Sequence, residues 1–170
     1  MLAVVYLKNR VSKGWSPAEE FSQAKPIPDA EKESFRNRLV PILVAAPPQV
    51  RVQLVPTLQK ILAYDFPDRW PNFLDITVQL LNAQDAASVF AGIQCLLAIC
   101  KIYRFKSGEV RADFDKIVGH SFPQLLNIGN SLVENDSIEA GEMLRTLLKV
   151  YKHAIYVSIS RYSIYDQSRK

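Results

Sequence analysis

Residues 29–65 read DAEKESFRNRLVPILVAAPPQVRVQLVPTLQKILAYD. Phe35, Leu39, Ile42, Leu43 and Ala46 recur at helical spacing. After Pro47-Pro48, Leu54, Leu58, Ile61 and Leu62 do the same. The first proline cannot continue a helix, whereas the second suits the opening turn of a new one, where its missing N–H would have no intrahelical partner. Asp29 is the expected N-cap, and Glu31 and Glu33 favour the positive end of the helix dipole. The stretch therefore predicts two helices, Asp29–Ala46 and Pro48–Asp65, folded back on each other across a proline hinge.

Working outward, the pattern repeats. An apolar helix is expected over Leu2–Lys13, then a polar connection over Gly14–Pro28 whose Trp15 docks back onto the helices. A fourth helix, Pro71–Asn82, uses Phe73, Leu74, Val78 and Leu81. A fifth, Asp85–Arg104, carries Val89, Ile93, Leu96, Leu97, Cys100 and Tyr103, with Phe90 and Ile99 widening the apolar surface until neighbours nearly surround it. A sixth, Val110–Val133, presents Phe114, Ile117, Val118, Phe122, Leu125, Leu126 and Leu132. A seventh, Asp136–Ile155, presents Leu144, Leu147, Leu148, Tyr151 and Ile155, capped by Asp136 or Ser137.

Pro41, Pro56 and Pro123 lie inside three of these helices. An interior proline costs about 3 kcal/mol, so such helices persist only when packed. The third, fifth and seventh helices start near residues 48, 85 and 136, steps that straddle the roughly 40–47 residues of a HEAT repeat. The expected fold is all-α: an α-α superhelix of HEAT/ARM type, about seven antiparallel-paired helices over residues 1–157 with a polar tail over 158–170. The competing reading is an irregular helical bundle. The first and seventh helices have no polar capping partner, which leads us to expect a segment of a longer solenoid.

Composition agrees. The chain has 170 residues, 48% hydrophobic and 22% charged, with only 6 glycines, which disfavours an all-β fold. Net charge is +4 and the pI about 9.1. Arg145, Lys149, Lys152, Arg161, Arg169 and Lys170 form a small basic excess, read as a solvated face and tail rather than a phosphate site. No direct nucleic-acid contact is expected. Cys95 and Cys100 lie in an apolar helix and point apart, as buried free thiols do. No secretory signal is evident. The most apolar run, Val89–Cys100, is shorter than the about 20 residues of a membrane span, so no membrane insertion is expected. Asn135-Asp136-Ser137 matches a glycosylation sequon, without weight in a chain showing no sign of secretion. A nuclear or cytoplasmic location is expected.

No catalytic constellation emerges. Gly108 and Gly119 do not precede Lys-Ser or Lys-Thr, as a phosphate loop requires. His120 and His153 have no metal-ligand spacing. Glu109, Asp113 and Asp115 could do acid–base work, but carboxylates at a helix N-terminus are explained by the dipole. Arg51, Asp65, Asp68 and Arg69 cluster around the third helix, as a partner-binding group or as loop caps and inter-repeat ion pairs. An enzyme is not expected, nor any cofactor or metal.

Tyr6-Leu7-Lys8-Asn9, the loop with Trp15, Arg51-Val52-Gln53-Leu54, and Asp65-Phe66-Pro67-Asp68-Arg69-Trp70-Pro71 together resemble the N-terminal region of importin-β-type karyopherins. The order is similar to the importin seven and importin eight group and its fungal relatives, and Leu148-Lys149-Val150-Tyr151-Lys152 extends the match. The Asp-Phe-Pro-x-Arg-Trp-Pro turn is its most specific piece. Lys8, Asn9, Trp15, Asp65, Phe66, Pro67, Arg69, Trp70 and Pro71 are read as structural motif residues. Trp70 and Phe66 would wedge between helix pairs, the prolines would fix the turn, and Arg69 and Asp65 would pair or cap.

The resemblance implies a nuclear transport receptor that shuttles between nucleus and cytoplasm through the pore. It implies stacked HEAT repeats, with the first, third, fifth and seventh helices as outer A helices and the others as inner B helices. Its implied partners are Ran-GTP, nucleoporin FG repeats and protein cargo. Ran contacts would fall on the second and fourth helices, and Asn72, Asp75 and Gln79 are the candidates. The alternatives are a helical-repeat interaction scaffold unrelated to Ran and a nucleic-acid-binding repeat.

Overall fold

The computed structural model describes residues 2–16, 25–104, 106 and 109–167, with backbone alone for 109–113 and 156–167. Seven helices follow in order: α1 (Leu2–Gly14), α2 (Asp29–Ala45), α3 (Pro48–Asp65), α4 (Phe73–Leu81), α5 (Ala86–Tyr103), α6 (Glu109–Val133) and α7 (Ile138–Gln167). Among the described residues there is no strand, and the fold is all-α with HEAT-like helix pairs. Two compact units divide the chain, residues 1–98 and 99–170, with the boundary inside α5.

In the first unit, α3 packs on both α1 and α2. Leu54, Leu58, Ile61 and Leu62 are at most 1% exposed, so the stripe read from sequence is the stripe buried. Each such side chain contributes about 1.5–3 kcal/mol on leaving water, enough together to offset Pro56. The helix prolines also sit where they cost least. Pro41, Pro56 and Pro123 are exposed, and so are Asn37, Val52 and Gly119, whose carbonyls lose their i+4 donors. Water can satisfy those carbonyls.

On α2 the buried side chains are Lys32, Leu39, Val40 and Leu43. Ile42, expected inside, is exposed. Asp29 is not the N-cap. That place is Pro28, without a side-chain cap, and Asp29 pairs with Lys32 at 3.2 Å one turn on. α4 begins at Phe73 and not at Pro71, because Trp70-Pro71-Asn72 forms a turn in which the Phe73 N–H donates to the Trp70 carbonyl. α5 is capped by Asp85, whose Oδ1 accepts from the Ser88 N–H at 2.8 Å. This hydrogen bond holds the Asp85 carboxyl below its ordinary pKa. Every residue from Phe90 to Cys100 is buried. The 18-residue α5 is long and apolar enough to cross a membrane by length and composition; burial inside the protein accounts for that character. Cys95 and Cys100 are both buried and free.

In the second unit, α6 and α7 run antiparallel, since Gly129 meets Leu147 while Phe122 meets Tyr151 farther along. Tyr103 stacks on Phe114 at 5.3 Å. The buried stripe of α7 is Ala140, Met143, Leu147, Val150 and Ala154. This corrects the expected Leu144, Leu147, Leu148, Tyr151, Ile155 stripe: the helix is turned so that Leu148 and Ile155 face outward. Leu126 of α6, also expected inside, is exposed. Ser137 caps α7, its Oγ accepting from the Ala140 N–H at 3.1 Å. The backbone of α7 continues to Gln167, past the expected end at Ile155 and through most of the stretch read as a tail.

Candidate functional site

The Asp65–Pro71 turn is built around Asp65. Its carboxylate is fully buried at the C-terminal end of α3, where the helix dipole disfavours a negative charge. Arg36 of α2 answers it, with Nη1 2.7 Å from Oδ2. Of the two expected roles for Arg69 and Asp65, to pair or to cap, the side-chain pair is not formed, since Arg36 takes that place. The Arg69 side chain is exposed, and what reaches Asp65 is backbone: the N–H groups of Arg69 and Trp70 donate to the Asp65 carbonyl at 2.7 and 2.9 Å. The Phe66–Pro67 peptide is cis.

Trp70 is 4% exposed and packs on Phe73 at 4.7 Å, while Phe66 meets Phe73 edge-on at 6.1 Å. The aromatic trio ties the turn to the first residue of α4. Pro67, Asp68 and Pro71 remain exposed. At the opposite end of α3, Arg51 donates to the Ala46 carbonyl at 2.9 Å and lies over the Phe90 ring at 4.8 Å. Arg51 and the Asp65–Arg69 group thus serve different ends of the helix.

The α1 motif residues have separate fates. Lys8 donates to Gln53 of α3 at 2.8 Å, whereas Asn9 is exposed. Trp15 is 1% exposed, edge-on to Phe35 at 6.2 Å. It docks onto the helices as expected, and the returning chain is held with it. The Ile27 N–H donates to the Gly14 carbonyl at 3.0 Å, and Arg10 donates to the Lys25 and Pro26 carbonyls.

Asn72, Asp75 and Gln79 are all exposed. Asp75 and Gln79 lie on one face of α4, opposite buried Phe73, Thr77 and Leu81, and Asn72 stands at the N-cap just before the helix. That buried face meets α5 at Gly92. A Cβ there would come within 2.9 Å of the Leu81 nitrogen, so Gly92 permits the close approach that positions α4.

Sequence reasoning missed Arg36 and Gly92. Arg36 had a signal, since it sits one turn before Leu39 and Val40 in the apolar stripe. Gly92 had none beyond its place in an apolar helix.

Among the described residues no group of three or more His, Cys, Asp and Glu could hold a metal. His120 is exposed. Burial, then the charges of Arg104, Lys101, Lys152 and Lys149, lowers the His153 pKa. The side chains of Glu109, Asp113, Arg161, Arg169 and Lys170 lie outside the described residues.

The profile of the Importin-beta N-terminal domain matches residues 1–45, which contain α1 and α2. The Importin beta-like SAD2 homolog of Arabidopsis thaliana is 32% identical over 161 residues, covering 94% of this chain and 15% of that protein. Nonsense-mediated mRNA decay protein 5 of Saccharomyces cerevisiae is 30% identical, covering 91% of this chain and 16% of that protein. Importin-8 of Homo sapiens is 28% identical, covering 88% and 15%. The chain thus spans about 15% of the length of these curated relatives. Similarity of this extent takes in the Asp65–Trp70 turn and the paired helices around it, so that along most of its length the chain is similar to a segment of importin-β-type karyopherins.

Proposed function

We propose that this chain is part of a nuclear transport receptor that carries protein cargo through the nuclear pore and responds to Ran-GTP. The observation that carries the reading is the similarity to importin relatives along 94% of the chain, through both helical units and not only the 45 residues of the N-terminal profile. In this role the helices are a binding scaffold and perform no catalysis. Partners would be Ran-GTP, cargo and nucleoporin FG repeats, encountered in nucleus and cytoplasm.

Within this chain, the exposed face of α4 is our candidate for Ran. Asn72 at the N-cap and Asp75 and Gln79 on the helix offer an amide, a carboxylate and an amide, on an element held by Phe73, Thr77 and Leu81. A rigid helix presenting short polar groups loses little freedom on binding.

The test is direct binding of the full chain to Ran loaded with GTP or with GDP. A receptor that switches must prefer one state, because a ligand of equal affinity for both shifts nothing. Preference for the GTP form, reduced by Asp75→Lys with Gln79→Ala, is the expected result. Equal affinity for both forms, or no binding, favours a helical-repeat scaffold unrelated to Ran.

A further inference from the structure

The last turn of α5 and the outward face of α7 concentrate positive charge that neither the helix packing nor the Ran reading uses. Arg145, Lys149 and Lys152 are exposed and fall at i, i+4 and i+7, one stripe rising about 10 Å along α7. Lys101 of α5 is exposed beside them, with half-buried Arg104 and His153 adjoining. Burial and the charges of Lys149 and Arg104 draw the Lys101 pKa down, which reports how closely these cations gather. Glu142, one turn before Arg145, bounds the stripe. Among the described residues, Lys101, Arg145, Lys149 and Lys152 form no ion pair with a carboxylate.

The same face is apolar along one edge. Leu148 is 58% and Ile155 44% exposed, and with Lys152 between them they follow i, i+4, i+7 spacing. Cations and aliphatic side chains thus lie side by side on a helix whose opposite face, Met143, Leu147 and Val150, is buried.

We propose that this face of α7, with the end of α5, docks an acidic peptide segment of a protein partner. Lys101, Lys149 and Lys152 hold its carboxylates, and Leu148 and Ile155 receive its apolar side chains. The charge and the apolar edge together favour such a peptide over nucleic acid. Nucleic acid would gain little from two exposed aliphatic groups, and among the described residues Tyr151, the ring of α7 beside them, is already engaged edge-on with Phe122 at 4.5 Å, not offered as a stacking platform. The site does not depend on Ran binding and is tested without Ran.

The experiment measures fluorescence anisotropy of a labelled peptide of alternating glutamate and leucine against the full chain, beside a polyglutamate peptide and a single-stranded DNA of equal length. The expected result is tightest binding by the glutamate–leucine peptide, weakened by added salt. Lys149→Glu with Lys152→Glu should weaken it about tenfold, since two exposed charge pairs are lost and reversal adds repulsion. Lys149→Gln with Lys152→Gln, which adds no repulsion and so keeps the helix surface intact, should give a smaller loss in the same direction. Leu148→Ser should weaken the glutamate–leucine peptide and leave polyglutamate unchanged. The proposal is overturned by absent peptide binding, by affinity unchanged in both lysine variants, or by DNA binding at least as tightly as the peptide.

Discussion

Arg36 of α2 and Asp65 at the end of α3 meet at 2.7 Å, with the carboxylate wholly buried and the guanidinium nearly so. This pair joins two helices that follow one another in sequence, and it anchors the turn that leads to α4. Asp65 Oδ1 has no hydrogen-bond partner among the described residues, so the carboxylate relies on Arg36. Arg36→Ala should destabilise the chain by about 3–5 kcal/mol, because it strands a buried charge. Adding Asp65→Asn to that variant should recover part of the loss. Urea denaturation of the wild type, the single variants Arg36→Ala and Asp65→Asn, and the double variant checks both, and simple additivity would show that the pair is not coupled.

Glycines at different places should respond with opposite signs. Gly92→Ala pushes a methyl group against the Leu81 backbone, and overpacking of this kind costs about 1–3 kcal/mol. Gly119 lies in α6 and Gly141 in α7, and a methyl group at either would meet nothing within 4 Å. Replacing either by Ala should stabilise by about 0.5–1 kcal/mol through helix propensity. Thermal melts of the three single variants decide the signs.

The rotation of α7 can be tested with neighbouring leucines. Leu147 is 2% exposed and Leu148 58%. Leu147→Ala should cost about 2–5 kcal/mol, whereas Leu148→Ala should stay within about 0.5 kcal/mol. Equal costs would place α7 in the orientation expected from sequence.

Cys95 lies in the fully buried part of α5, and burial raises its thiol pKa from 9.0 to about 12. Between those values the unfolded chain loses this proton and the folded chain keeps it. The contribution is therefore complete below pH 9 and lost as pH rises towards 12. The wild-type chain should lose more stability than Cys95→Ala across that interval. At neutral pH the thiol should react with a disulfide reagent only as fast as the protein opens, which stopped-flow labelling would measure.

Much of the helical order was legible in the sequence. Pro47-Pro48 and the Pro67–Pro71 turn punctuate the chain by removing backbone donors, and that effect is local. The stripe of α3 was legible because a single set of residues at helical spacing is apolar. The stripe of α7 was not, because Leu144, Leu148, Tyr151 and Ile155 offer a second apolar face beside Ala140, Met143, Leu147, Val150 and Ala154. Periodicity alone cannot choose between two such faces.

The candidate surface divides in the same way. The resemblance singled out Asp65, Phe66, Trp70 and their neighbours, and α4 spacing put Asp75 and Gln79 on one face. That Asp65 pairs with Arg36 rather than Arg69 was decided only by tertiary structure. Arg69 is near in sequence, but its backbone closes the turn while its side chain points to water. Arg36 is distant in sequence, and the antiparallel packing of α2 on α3 brings its guanidinium to the buried Asp65 carboxylate. The sequence alone determined that this chain is a run of packed helices. The tertiary structure decided which side chains those helices bury, because burial depends on the neighbour each helix finds.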